Sequence, residues 1–217
     1  DFPAPLDMTN ISVNYNTNWL MDYLTTKSPG DVFIHNVRQA LSTGDPGFSF
    51  NFFDKEEETL RNACTEVSSA DDSDVCNLGS INLARISSLE EMQEVVELGT
   101  CFLLAGTVYS DVPYPKIDQI RTKNRRLGLG LMGVHEWLLI HGKKYDIDQD
   151  LEEYLKIYLQ STQYSNEYSL KWDLTPPIKT RAIAPCGTIG IVAETTTGIE
   201  PIFCSAYKRR YKKGPEL

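Results

Sequence analysis

Short strand-like runs alternate with longer helix-like stretches along most of this chain, and that alternation limits the folds open to it. Strands separated by helices lie parallel in a shared sheet, so the pattern predicts an α/β fold. Residues 15–28 and 31–42 read as helices, the second starting at the cap Asp31 after Pro29-Gly30. Thr43 to Gly47 reads as a turn leading into the aromatic strand Phe48 to Phe52. A charged helix is expected from Lys55 to Leu60, and an acidic loop from Asp71 to Asp74. Ser88 caps a helix with Glu91 placed for a capping box, and apolar residues run on from Val95 to Val108. Pro115 opens a helix through Arg126, and Gly128 to Gly142 carries the apolar face Leu131, Val134, Leu138 and Leu139. Asp148 to Trp172 reads as one long amphipathic helix. Thr180 to Ala184 reads as a strand, Pro185 to Gly198 as a small-residue loop, and Ile202-Phe203 as a further strand.

At 217 residues and 41% hydrophobic content, the chain is long enough for one domain or part of a larger one. Its net charge of −9 repels polyphosphate chains, which argues against a nucleic-acid polymer as partner. A single nucleotide needs only a local nest of donors and stays possible. Lys208, Arg209, Arg210, Lys212 and Lys213 form a basic exception, read as a solvated end. No apolar run reaches membrane-spanning length and no signal-peptide pattern opens the chain, so a cytoplasmic location without a membrane partner is expected. The first residues are Asp1-Phe2-Pro3, without an initiating Met, and the chain is expected to be an internal piece of a longer protein. Five cysteines without secretory signals fit a reducing compartment, where a disulfide is transient rather than structural.

Three elements carry candidate chemistry. In Asn62-x-Cys64-x-Glu66, an extended backbone would turn amide, thiol and carboxylate to one side. That set offers hydrogen-bonding, a sulfur centre and a general base, although a lone Cys is more often structural. Cys76 opens CNLGSINL, where the plain alternative is a core cysteine on a buried strand. Ala184-Pro185-Cys186-Gly187-Thr188-Ile189-Gly190 can offer backbone N–H groups to a phosphate, or can be an ordinary tight turn; it lacks the Gly-Lys-Ser/Thr ending of a Walker A loop.

Taken in order, Asn-x-Cys-x-Glu, CNLGSINL, NRRLGLGLMG, APCGTIG and GIEP resemble the catalytic barrel of ribonucleotide reductase large subunits, over roughly residues 44–204. The resemblance implies that residues 1–217 are an incomplete part of that domain, a ten-stranded α/β barrel with Cys64 on a finger loop threading its centre. The implied reaction is reduction of ribonucleotides to 2′-deoxyribonucleotides by thiyl-radical chemistry, with a ribonucleoside di- or triphosphate as substrate. Cys64 matches the thiyl cysteine that abstracts the 3′-hydrogen. Glu66 matches the general base on the 3′-hydroxyl, and Asn62 the amide orienting the substrate hydroxyls. Cys76 matches one of the two cysteines that deliver reducing equivalents and end as a disulfide. Cys186, Gly187, Thr188 and Ile189 match the segment holding the substrate phosphates. The family's position filled by Cys186 usually carries Thr or Ser, so no redox role attaches to it. Cys101 is read as core, and Cys204 has no matching role.

The partner of Cys76 should precede Cys64, where this chain has no cysteine, and a C-terminal cysteine pair is also missing. The chain is therefore expected to be inactive without the remaining part of the catalytic subunit. A thioredoxin- or glutaredoxin-type reductant would reset the disulfide. The short gap from Cys64 to Cys76 resembles the adenosylcobalamin-dependent branch, although Ala63 and Thr65 depart from that branch's usual Gly and Pro. The alternative radical source is a metal-bearing small subunit. Two other functions stay open. Gly128-x-Gly130-x-x-Gly133 fits a nicotinamide-binding fingerprint in letters, but it needs a preceding strand where a polar, helix-like segment stands; close packing is the better use for its glycines. A non-catalytic remnant is the other. His35, His135 and His141 are scattered, and no His/Cys spacing suggests a metal site.

Overall fold

The computed structural model describes residues 10–206 and 208. Strand β1 (Ser12–Tyr15) leads into helix α1 (Thr17–Thr26), whose cap Asn16 accepts from Trp19 N at 3.2 Å. Helix α2 (Gly30–Thr43) follows, with Asp31 in its first turn rather than at its cap. It ends at Gly44, whose φ of 91° suits a residue without a side chain. Strand β2 (Gly47–Phe50) then pairs parallel with β1. Tyr15 packs against Trp19, Phe33 and Phe50 at ring separations of 4.9–5.5 Å, which ties this βαα-β unit together.

The helix expected from Lys55 to Leu60 does not form. A single 3-10 turn, Phe53–Lys55, stands there instead, and Leu60 already belongs to a strand. Six residues cannot offset the cost of helix nucleation unaided, and Asn51 Nδ2 draws the Glu58 carbonyl away at 2.5 Å. Strands β3 (Leu60–Arg61) and β4 (Ser68–Ser69) then form a short antiparallel hairpin.

Strand β5 (Asn77–Asn82) runs along one face of the molecule's core into helix α3 (Leu89–Tyr109). The expected cap is present: Ser88 Oγ accepts from Glu91 N at 3.2 Å. Glu91 reaches back one residue further than a capping box requires, accepting from Ser87 N and Ser87 Oγ at 2.6 Å each. Helix α4 (Pro115–Asn124) follows, then strand β6 (Leu127–Met132), which pairs parallel with β5 from Asn77↔Leu127 to Asn82↔Met132. Strand β6 falls inside the glycine-rich stretch that the sequence pattern marks only by an apolar face, not as a strand. Alternation along the strand explains both residue types. Leu127, Leu129 and Leu131 enter the hydrophobic core with Ile81, Val96, Leu104 and Trp137. Gly128 and Gly130 face the other way, against Cys76, Leu78 and Ala182. Burying one such leucine is worth roughly 1.5–3 kcal/mol relative to leaving it exposed.

Helix α5 (Val134–Ile140) follows at Gly133, and the expected 148–172 helix is two: α6 (Gln149–Leu159) and α7 (Ser161–Lys171). Arg181 Nη1 inserts at the break, donating to Leu159 O at 3.1 Å and Ser161 Oγ at 2.9 Å. Both halves pack on α3. Residues 180–184 contribute one parallel bridge, Leu129↔Arg181, beside β6 rather than a full strand. The 185–198 loop contains the short helix α8 (Gly187–Val192). Ile202-Phe203 is not a strand: Ile202 N donates to His135 Nδ1 at 2.8 Å, so a side chain takes the bond a neighbouring strand would have taken. The named strands thus form three two-stranded sheets, two of them parallel. Cys101 is half-exposed on α3 rather than core, in an apolar recess beside Leu98, Phe102 and Trp172. Lys208 is exposed, and the rest of the basic cluster lies outside the described residues.

Candidate active site

The loop between β3 and β4 carries Asn62, Cys64 and Glu66, and it is a turn rather than an extended segment. Thr65 N donates to Asn62 O at 3.0 Å, with Thr65 at a φ of 66°. Asn62 Oδ1 accepts from Val67 N at 3.0 Å. An Asn side chain offers the backbone a local partner that competes with strand pairing. The every-second-residue rule therefore does not apply here. Cys64 stands exposed at the tip of the hairpin.

Two acid–base pairs hold the hairpin down. Ser68 Oγ donates to Glu58 Oε2 at 3.0 Å, and Lys179 Nζ pairs with the same oxygen. Burial alone would raise the Glu58 carboxyl, but the bonds from Lys179 and Ser68 outweigh it and hold it below the usual range. The next residue, Ser69, donates to Asp74 Oδ2 at 2.8 Å. Asp74 Oδ2 also accepts from Arg126 Nε at 2.9 Å and Asn124 Nδ2 at 3.0 Å.

These tethers set Glu66 and Cys76 around one cavity of about 240 Å³, together with Arg126, Lys179 and Arg181. Glu66 Oε2 is buried and has no hydrogen-bond partner among the described residues. Burial pushes the Cys76 thiol up to about 12; Arg126 works against that shift, while Asp74 and Glu66 add to it. Cys76 is therefore a neutral thiol at neutral pH, able to give up hydrogen but a poor nucleophile. An adjoining cavity of about 350 Å³ is lined by Asn62 and Cys76 among others.

Further along the same face of β5, Ser80 Oγ lies 3.0 Å from Cys186 Sγ. Four residues of strand separate Ser80 from Cys76, roughly 13 Å. Cys186 is buried at a φ of 53°, and Gly187, Thr188 and Ile189 follow it exposed at the start of α8. The structure thus sets Glu66 beside Cys76 in one cavity and Asn62 beside Cys76 in the adjoining one, and puts Cys186 on the same sheet face. It leaves Cys64 and the Gly187–Ile189 segment outside the lining of both cavities. Sequence reasoning missed Arg126, Asp74 and Lys179. Arg126 lies inside the NRRLGLGLMG block, directly before β6, and that position was its available signal.

The glycine fingerprint is not a dinucleotide loop. Helix α4 precedes it, and Gly128 and Gly130 lie within β6. A Cβ on Gly130 would come 2.6 Å from Ala182 O, and one on Gly128 would come 2.9 Å from Cys76 Sγ. These glycines serve close packing on the site face. Among the described residues, no group of three His, Cys, Asp or Glu is placed to hold a metal ion, and no helix is long and apolar enough to cross a membrane.

The parallel pair β5–β6 with α3 packed on it, and a cavity lined by Cys76 and Glu66, make this an α/β unit. Residues 18–172 match the family described as ribonucleotide reductase, barrel domain, and the chain belongs to that family. It is 29% identical over 229 residues to a putative adenosylcobalamin-dependent ribonucleoside-triphosphate reductase of Mycobacterium phage D29, covering 94% of this chain and 32% of that protein. It is 28% identical over 204 residues to a vitamin B12-dependent ribonucleoside-diphosphate reductase of Mycobacterium tuberculosis, covering 83% of this chain and 28% of the relative. The chain therefore spans under a third of the length of these relatives. A crystal structure of a B12-dependent (class II) ribonucleotide reductase shares the fold, with a TM-score of 0.56 and 22% identity, over 65% of this chain and 23% of that one.

Proposed function

We propose that this chain supplies part of the active site of a ribonucleotide reductase, which reduces ribonucleoside di- or triphosphates to 2′-deoxyribonucleotides for DNA synthesis in the cytoplasm. The observation that carries the reading is the cavity lined by both Glu66 and Cys76, together with a buried Glu66 oxygen that has no partner among the described residues. A buried, unsatisfied acceptor is costly in the free protein, and a substrate hydroxyl would satisfy it.

In this reading Cys64 becomes the thiyl radical, takes the 3′-hydrogen and returns it at the end; Glu66 accepts the 3′-hydroxyl proton, and the 2′-hydroxyl leaves as water with a proton from the reducing thiol pair, which ends as the disulfide. Asn62 orients the hydroxyls. Cys76 gives up hydrogen as one of two reducing thiols, its partner coming from the remaining part of the catalytic subunit. The segment Cys186, Gly187, Thr188 and Ile189 holds the phosphates. A thioredoxin- or glutaredoxin-type reductant resets the disulfide.

Adenosylcobalamin is the radical source we favour over a metal-bearing small subunit, because the phage and mycobacterial relatives are named for it. When bound, it supplies a carbon radical by homolysis of its carbon–cobalt bond. Cys64 stands exposed at the tip of a tethered hairpin, outside the lining of the Glu66–Cys76 cavity; in this reading the remaining part of the catalytic subunit covers it, shelters the radical and brings it to the ribose. Deoxyribonucleotide formation by the holoenzyme containing this chain, with Cys64→Ala beside wild type, tests the function. Loss of product to background is expected, and undiminished product formation by the variant would sink the proposal.

A further inference from the structure

Arg126 commits one edge of its guanidinium and leaves another open. Nε donates to Asp74 Oδ2 at 2.9 Å, and the longer contact of Nη2 is with Ser69 Oγ at 3.5 Å. Nη1 is buried and has no partner among the described residues, on a side chain only 2% exposed. In the parallel register that pairs Asn77 with Leu127, Cys76 stands across from Arg126, and paired residues project to one face of a sheet. Both residues line the cavity that also holds Glu66, whose Oε2 is likewise buried and unpartnered.

An unsatisfied cationic donor and an unsatisfied carboxylate acceptor thus share one cavity without bonding each other. Each is costly alone. A hydroxyl, which accepts and donates at once, satisfies groups of both kinds, and a pair of neighbouring hydroxyls satisfies them separately. We infer that Arg126 Nη1 is a substrate-binding donor to the ribose 2′-hydroxyl oxygen, the hydroxyl on the Cys76 side, while Glu66 takes the neighbouring 3′-hydroxyl. The inference rests on the reading of Glu66 and Cys76 as ribonucleotide-site groups. Asp74 is then a positioning residue: it fixes the guanidinium through Nε and leaves Nη1 uncommitted.

The test is equilibrium binding of cytidine ribonucleotide, as CDP and as CTP, and of each 2′-deoxy counterpart to the holoenzyme. Wild type is compared with Arg126→Lys, which keeps a cation for Asp74 but lacks the second nitrogen. Wild type should favour the ribonucleotide by about tenfold or more, the size of a hydrogen bond to a charged group. Arg126→Lys should bring that preference close to one while leaving 2′-deoxynucleotide affinity unchanged. A variant that keeps the wild-type preference, or loses affinity for both ligands equally, overturns the inference. Equal affinities in wild type overturn it too, whether or not the variant folds. Failure of the underlying function is seen separately, as a wild-type holoenzyme that makes no deoxyribonucleotide; that result overturns both.

Discussion

Asp74 and Arg126 form an ion pair at 2.9 Å with side chains 6% and 2% exposed. Serine, asparagine and backbone donors complete the shell of Asp74. Removing one partner from such a pair strands a buried charge, at a cost of about 3–5 kcal/mol. Asp74→Ala should therefore lower the urea midpoint sharply. The double variant Asp74→Leu/Arg126→Met should be less destabilised than Asp74→Ala, because replacing both charges leaves none unpaired. Equal loss in the two variants would show that the surrounding hydrogen bonds, not the stranded charge, set the cost.

Gly130 tests the packing role of the fingerprint glycines. A Cβ there would meet backbone, Ala182 O at 2.6 Å, and backbone cannot swing aside. Gly130→Ala should cost about 1–3 kcal/mol. Gly187, with nothing within 4 Å of its ideal Cβ and an ordinary φ, should tolerate alanine with no loss or a small gain. Thermal unfolding of the two variants checks the contrast. Neither should alter NADH binding by fluorescence titration, which is expected to be absent in wild type.

Cys76 gives a pH signature. Its thiol is pushed up to about 12 from an ordinary 9.0, burial being the largest cause. The unfolded chain loses this proton near the ordinary value while the folded chain keeps it. The folded state then binds more protons across that interval, and stability falls as pH rises through it. Urea midpoints measured upward from about pH 9 should decline less in Cys76→Ala than in wild type. At about pH 8, iodoacetamide should label exposed Cys64 and Cys204 well before Cys76. Early labelling of Cys76 would contradict its neutral, buried state.

The sequence made the helices legible where capping chemistry was local, as at Ser88 and Pro115. It hid β6, because alternate positions of that strand are glycine, and only the neighbours Leu78, Cys76 and Ala182 explain why no side chain stands at Gly128 and Gly130. The break at Gln160 was equally invisible, since Arg181, twenty-one residues on, supplies the donor that makes it. At the site, Asn62, Glu66 and Cys76 were legible as residue types in ordered blocks. Their arrangement was not: Asn62 closes a turn through its own amide oxygen, so Cys64 stands exposed where alternation would have aligned it with Glu66. Arg126 reads from sequence as the basic end of the helix opened by Pro115, and only burial against Asp74 marks it as part of the cavity.

Glu66 separates a catalytic carboxylate from a structural one. It lines the cavity with Cys76, and its Oε2 has no partner to lose. Glu66→Gln keeps the shape and removes the base, so kcat of the holoenzyme should fall by about 10²–10⁴-fold, the usual contribution of a positioned general base. Stability should move the other way or not at all, because an amide is cheaper to bury than a carboxylate without a partner. Glu58→Gln makes the matched control, since Glu58 is spent on Lys179 and Ser68 and should cost stability without a comparable loss of kcat. Turnover and urea midpoints on the same two variants decide it. If Glu66→Gln destabilises the fold as Glu58→Gln does while leaving kcat intact, Glu66 is a structural group and the cavity is not the place where the hydroxyl is deprotonated.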